Sequence, residues 1–315
     1  MARTPLRATL LVIVSACCFG TVSPLTVVAL KSGASLQGIQ TWRYATTAVL
    51  LVAWSLWVRR SRTVAARHAA AANAINSPRI APRDPWYSWR MLFVAGGGQA
   101  LVATLALSAI KFIPAATEAF LFYTFPAWVA VLTAARGIER LDRVRVTALV
   151  LALAGIGFMV GAPAAGSLNP IGVAIALTAA LVYAIYIPVL NTLQQTRPAL
   201  DIARAIAVGG TLVFLVWALV TGTLVSHFTI TTYFVSVLQG VLSAAAFLGF
   251  LTGLETLGPV RTAITSTVEP FWTTMLGVAL LAQPIGGGTL VGGAAIMCAV
   301  LLLQRPVAPP ALHST

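Results

Sequence analysis

The sequence predicts an all-α integral membrane protein of about ten transmembrane helices, built as two inverted five-helix repeats with the N- and C-termini cytoplasmic. Composition is the first ground for this. Of 315 residues, 59% are hydrophobic and only 9% charged, with a mean hydropathy of +0.92, too little polar surface to cover a soluble domain. The second ground is length: the apolar residues recur in stretches of roughly 17 to 25, enough to cross a hydrocarbon layer of about 30 Å. In lipid the backbone polar groups must be satisfied internally, so each stretch is a helix. The third is the placement of the basic residues, which sort by membrane face.

The first stretch, Leu6 to Leu30, is too long for a cleaved signal peptide, carries Pro24 inside its apolar run and is followed at once by another span; it is read as helix 1. Turn residues, prolines and charges place spans near 8–30, 36–58, 88–110, 114–133, 143–161, 170–189, 203–224, 233–255, 261–281 and 287–303. The breaks after helices 3 and 8 rest on Lys111-Phe112-Ile113-Pro114 and Leu257-Gly258-Pro259, residues that interrupt helices. With the N-terminus inside, 17 of the 20 basic residues fall on the cytoplasmic side. Seven of them, Arg59, Arg60, Arg62, Arg67, Arg79, Arg83 and Arg90, follow helix 2, and Lys31 and Lys111 alone lie in outer loops, with Arg43 inside helix 2. A missing or invented span would scatter the later arginines over both faces.

The one sizeable loop, 59–87, has an Ala-rich part suited to a short helix, an extended part set by Pro78, Pro82 and Pro85, and Trp86, Tyr87 and Trp89 at the interface. The units are then 1–165 (helices 1–5 with this loop), 166–305 (helices 6–10) and a cytoplasmic tail, 306–315.

The net charge of +13 belongs to this topology and not to nucleic-acid binding, for which there is no basic soluble domain. Cys17, Cys18 and Cys298 lie in apolar spans without metal-ligand spacing and read as small packing residues. An intramembrane enzyme would need paired aspartates, a His cluster or a Ser/Lys dyad. Here His68 is in the tether, His227 in an outer loop, His313 in the tail, and no Asp lies within a span. No Gly-rich phosphate loop with Lys-Ser/Thr is present, since Gly96-Gly97-Gly98 lacks that continuation. The chain is read as no enzyme, with no cofactor and no metal.

Sliding the chain on itself by 144 residues lays Pro126-Ala127-Trp128 over Pro270-Phe271-Trp272, Gly96 over Gly240, Leu132 over Leu276 and Ala135 over Ala279. An offset of 164 lays Pro24 on Pro188 and Phe19 on Tyr183. Two units of five helices follow, and because five is odd the second enters the membrane from the opposite face. Inverted repeats with a site near the midplane are the plan of many secondary transporters.

The ten-span plan, the Pro-centred helices 4 and 9, and Gly137-Ile138-Glu139-Arg140-Leu141 closing helix 4 resemble the EamA-type transporters of the drug/metabolite transporter superfamily over essentially the whole chain. The family commonly ends helix 4 in Gly-Glu-Arg or close to it. Here Ile138 separates Gly137 from Glu139, and helix 9 ends in Ala282-Gln283-Pro284, so no charge-dependent role is assigned to its ending. The resemblance implies a multi-pass inner or plasma membrane protein that exports small organic solutes by alternating access, with apolar or aromatic amino acids as the expected cargo. Efflux of drugs or toxic cations is the alternative within the same fold. Proton coupling is kept as an option, and a monomer is compatible with a sequence that leaves the oligomeric state open.

Ionisable groups at membrane depth are costly and so mark function by default. Glu269 lies eight residues after Arg261, roughly 12 Å into helix 9 at 1.5 Å per residue, next to Pro270. It suits either a substrate ammonium or a transported proton. Trp272 is one turn on and adds cation–π attraction for an amine. Tyr123, Phe19, Tyr183, Tyr186, Gln99 and Ser243 complete the expected substrate cavity. Glu118 and Arg43 are gate or ion-pair candidates, while Pro24, Pro126, Pro188 and Pro270 are hinge candidates because each removes a helical hydrogen bond. Lys111 and Glu255 occupy corresponding positions and are read as helix ends.

Overall fold

The computed structural model describes residues 5–70, 89–135, 143–161, 168–194 and 197–303. These residues are helical throughout, with turns between the helices and no strand. Helix α1 covers Pro5–Leu30 and α2 covers Leu36–Ala70. A π-helical segment, Leu92–Gly97, leads into α3 (Gly98–Ala109), and a break at Ile110 to Pro114 separates α3 from α4 (Ala115–Phe122). Then come α5 (Phe125–Ala135), α6 (Arg143–Gly161), α7 (Pro170–Gln194), α8 (Ala199–Val220), α9 (Ile230–Ser266), α10 (Val268–Leu281) and α11 (Gly287–Leu303).

Six helical stretches are long and apolar enough to cross a membrane: Leu6–Leu30, Trp89–Ala109, Ala115–Leu132, Pro170–Leu190, Ala199–Val220 and Ile230–Leu257. Val146–Phe158, Val268–Leu281 and Gly287–Leu302 are shorter apolar helices. Helix α2 is absent from both groups because its first half is polar, carrying Gln37, Gln40, Thr41, Arg43, Thr46 and Thr47. It continues through Ala70, so the Ala-rich start of the expected loop extends the second helix instead of forming a separate one. Pro78, Pro82, Pro85, Trp86, Tyr87 and the Gly137 to Leu141 ending lie outside the described residues.

The break expected at Leu257-Gly258-Pro259 takes an unexpected form. Helical hydrogen bonding runs on through all 37 residues of α9, a length of about 55 Å if straight, far beyond a layer of about 30 Å. The pairing with α1 shows that the chain turns back. Gln239 donates to the Val22 carbonyl (3.0 Å) and Ser15 to the Ala246 carbonyl (2.7 Å), while Gly253 meets Val12, so α9 descends antiparallel to α1. Thr273 then donates to the Gly20 carbonyl, back at the middle of α1. The reversal lies between Gly253 and Thr273, in the stretch that contains the expected turn residues.

The helix contacts are nearly invariant when the first half is exchanged for the second. Helix α1 packs on α9 and α10, as α7 packs on α3 and on α4 with α5; α2 packs on α9 as α8 packs on the π segment; and the pairs α2 with α8, α4 with α10 and α6 with α11 each map onto themselves. Two close crossings obey the same exchange. A side chain added at Gly96 would run into Gly209 of α8, and one at Gly240 would run into Thr46 and the Arg43 carbonyl of α2. The 144-residue offset between Gly96 and Gly240 thus joins two equivalent backbone contacts, each of which admits only glycine.

The helix breaks obey it too. Helix α4 ends at Phe122 with Tyr123 and Thr124 as a turn, and α9 ends at Ser266 with Thr267 as a turn. Tyr123 and Thr267 are 144 residues apart, each three residues before its proline, Pro126 or Pro270. By contrast, Pro24 and Pro188 sit within unbroken helices. Of the four hinge candidates, the structure puts two at breaks and two inside continuous helices.

Candidate functional site

A cavity of about 130 Å³ lies between the two halves, with walls from α1, α2, α3, α4, α7, α8, α9 and α10. Its polar groups are Ser23, Arg43, Gln99, Glu118, Glu269 and Thr273. Phe19, Phe122, Tyr183, Phe247 and Phe250 supply an aromatic wall. Rings pack directly within it: Phe122 and Tyr183 have centroids 5.0 Å apart, and Phe19 and Phe247 meet edge to face at 5.2 Å.

Arg43 enters the cavity from α2, two turns into the helix, and is 4% exposed. Its Nε donates to Ser243 Oγ (2.8 Å) and its Nη1 to Gln40 Oε1 (3.0 Å), and the guanidinium carbon lies 5.0 Å from the Tyr44 ring centroid. Those partners are neutral. Glu118, 4% exposed on α4, faces the same cavity with Ser23 beside its carboxyl. The expected ion pair between Glu118 and Arg43 is not formed: among the described residues neither has an oppositely charged partner within 4 Å. Both side chains instead face a common space.

Glu269 opens onto that space from the start of α10 and is half-buried. The turn before it is a direct consequence of Pro270, which has no N–H to offer the Ser266 carbonyl four residues earlier. The phenol of Tyr123, at the matching break in the first half, takes the place of that N–H. Its Oη donates to the Ser266 carbonyl at 2.6 Å and lies 3.0 Å from Glu269 Oε2. Pro24 has the same effect on the Gly20 carbonyl of α1, and there Thr273 Oγ1 donates at 2.9 Å. Two proline-freed carbonyls are thus stitched by hydroxyls from another helix. Gly20 is required for the second stitch, since a Cβ on it would lie 2.8 Å from the Glu269 carbonyl oxygen.

Among the expected site residues, the structure brings Glu269, Phe19, Tyr183, Gln99, Glu118 and Arg43 to the cavity. Tyr123 and Ser243 stand one layer behind, holding Glu269 and Arg43. Trp272 points elsewhere: its indole N–H donates to Thr21 Oγ1 (2.9 Å), which ties α10 to α1 outside the cavity lining. Tyr186 is likewise a packing residue, donating to the Ala95 carbonyl of the π segment (2.6 Å). Sequence reasoning missed Gly20, Thr273, Ser23 and Gln40. Gly20 was detectable by counting four residues back from Pro24 to the carbonyl that loses its helical N–H. The others depend on which helices become neighbours.

Glu255, read as a helix end, lies within α9 and instead caps another helix: its Oε1 accepts the N–H of Ala199 (2.7 Å) at the start of α8. Among the described residues no group of His, Cys, Asp and Glu is arranged to hold a metal.

One solved structure, described as "Crystal structure of protein", matches 95% of this chain and 98% of its own with a TM-score of 0.61 at 16% identity, a likeness of fold. No curated protein sequence matches the chain. The model of the EamA-like transporter family matches twice, over residues 6–161 and again over 170–305. With two family repeats across nearly all of its length, this chain belongs to the EamA-like transporter family, membrane transporters of small solutes within the drug/metabolite transporter superfamily.

Proposed function

We propose that the protein exports small zwitterionic solutes, amino acids with apolar or aromatic side chains, by alternating access of two inverted five-span repeats around the central cavity. In this reading ten spans cross an inner or plasma membrane, with repeats at 1–165 and 166–305 and both termini cytoplasmic. The basic-residue asymmetry and the twofold pattern of helix contacts support it.

One observation carries the choice of solute. Among the described residues, a buried guanidinium without an acidic partner and two carboxyls without a basic one face the same small space. Isolated buried charges are strongly unfavourable unless paired. A solute carrying both a carboxylate and an ammonium pairs both signs at once, and the Phe19, Phe122 and Tyr183 wall accommodates its side chain. The cavity volume of about 130 Å³ is small beside the roughly 300 to 1,000 Å³ of sites for drug-sized ligands, which favours a small solute over drug efflux.

The test is uptake into proteoliposomes of a labelled amino-acid panel and of cationic dyes, with and without a pH gradient. Amino-acid flux that falls at least about tenfold in Arg43→Gln, the loss expected when one member of a buried charge pair is removed, is the expected result. Transport of dyes with no amino acid carried would replace this reading with drug efflux.

A further inference from the structure

The two ends of the cavity are walled by matched residues and fastened differently. Leu107 of α3 and Leu251 of α9, 144 residues apart, are both buried and both line the cavity. Leu107 shares a buried cluster with Val22, Ile110 and Leu36, the first residue of α2; Leu251 shares another with Leu190, Ile202 and Ala199, the first residue of α8. The exchange of halves that carries α3 onto α9 and α2 onto α8 thus carries one seal onto the other. One turn beyond each leucine, at Lys111 and Glu255, the two ends part.

The first N–H groups of a helix have no partner within it. Helix α2 is served by its own N-cap residue, Ser35, whose Oγ accepts the Gly38 N–H at 3.0 Å. The residue in that place before α8 is Pro198, which makes no side-chain cap, and Asp201, the acid of the first turn, is turned to Arg204 (3.1 Å). The cap comes instead from α9: Glu255 Oε1 accepts the Ala199 N–H at 2.7 Å, one turn beyond Leu251. We propose that Glu255 latches this seal, which the transport reading puts at the cytoplasmic face, and that with no such latch at the Lys111 end the solute-free protein keeps the cytoplasmic face shut by preference. The inference rests on that reading for its place in a transport cycle. Lys111 cannot stand in for Glu255, because an ammonium only donates and a cation at a helix N-terminus opposes the dipole that a carboxylate favours. Parting α9 from α8 therefore breaks a charge-assisted bond of a kind that Lys111 cannot supply between α3 and α2. The latch multiplies the ratio of shut to open at one end and leaves the other end alone.

Spin-label distances in the full chain, held in lipid nanodiscs without solute, read this seal directly. The labels go on Thr192→Cys of α7 and Thr256→Cys of α9, both exposed and close in sequence to Leu190 and Leu251, with Cys17, Cys18 and Cys298 replaced by Ala. With Glu255 intact, the short distance of the shut seal is expected to dominate. Glu255→Ala raises the ratio of long to short distances about fivefold, as the loss of an ordinary helix cap does. Glu255→Gln keeps an oxygen acceptor and raises it less; Glu255→Lys puts a cation at the helix start and raises it most. A ratio unmoved in both Glu255→Ala and Glu255→Lys overturns the latch, and so does a Glu255→Gln variant that opens as far as Glu255→Ala. No solute enters this measurement, so a transport panel in which no amino acid is carried leaves its result standing. Amino-acid transport together with an unmoved ratio removes the latch alone.

Discussion

The two broken helices break at matched positions and carry opposite chemistry. At the first break, Phe122, Tyr123 and Phe125 gather with Tyr183 into one aromatic cluster. At the second, 144 residues on, Thr267 and Glu269 occupy the positions of Tyr123 and Phe125. One half therefore supplies an aromatic wall and the other a carboxyl, and the Tyr123 hydroxyl of the first donates to the Ser266 carbonyl of the second. Under the proposed alternating-access reading, the backbone symmetry would let the halves exchange roles as two sides of a rocking pair, and the side-chain asymmetry would let their contact hold a solute in one orientation.

The sharpest break in this comparison is expected from the matched pair Glu269→Gln and Phe125→Leu. Loss of the carboxyl should lower amino-acid flux at least about tenfold, equivalent to about 1.4 kcal/mol, while the aromatic change should stay within about threefold. Equal losses measured in proteoliposomes would mean that the two breaks are functionally alike. Next come the prolines. Pro270→Ala, which gives the Ser266 carbonyl an N–H and straightens the helix, should lower flux by roughly five- to tenfold, and Pro126→Ala by less than half as much on a logarithmic scale.

Smaller effects sharpen how the second break is held. In Gly20→Ala the new methyl would lie 2.8 Å from the Glu269 carbonyl and 2.9 Å from Thr273 Oγ1, so α1 and α10 must separate at a cost of about 1 to 3 kcal/mol. Thermal unfolding in detergent should show the loss, and an unchanged midpoint would count against so close a crossing. Thr273→Val leaves the proline-freed Gly20 carbonyl without its donor and should cost about 1 kcal/mol. Thr21→Val removes the acceptor of the half-buried Trp272 indole and a hydroxyl donor to the Cys17 carbonyl of its own helix, and should cost about 0.5 kcal/mol.

Much of this was legible before the structure. The apolar stretches, the split of the arginines and the Pro-x-Trp pair depend on local composition and spacing, and the matched breaks fall where the 144-residue offset puts them. Glu269 stood out because an acid inside an apolar run is costly wherever the run packs. Trp272 was misread because helical spacing puts it near Glu269 on the chain, but which neighbour its indole meets is decided by the rotation of α10 against α1. The Arg43 and Glu118 pair failed for a similar reason: both lie at a similar depth, but Ser243 and Gln40 reach the guanidinium first.

What the sequence by itself determined is the set of helices, their repeat and where prolines must leave a carbonyl bare, because these follow from hydrocarbon thickness and covalent structure. Only the tertiary structure decided which hydroxyl answers each bare carbonyl and which charges are left facing one another across the cavity. Those outcomes depend on contacts between residues up to 253 positions apart, set by how whole helices cross, and no local pattern in the chain encodes them.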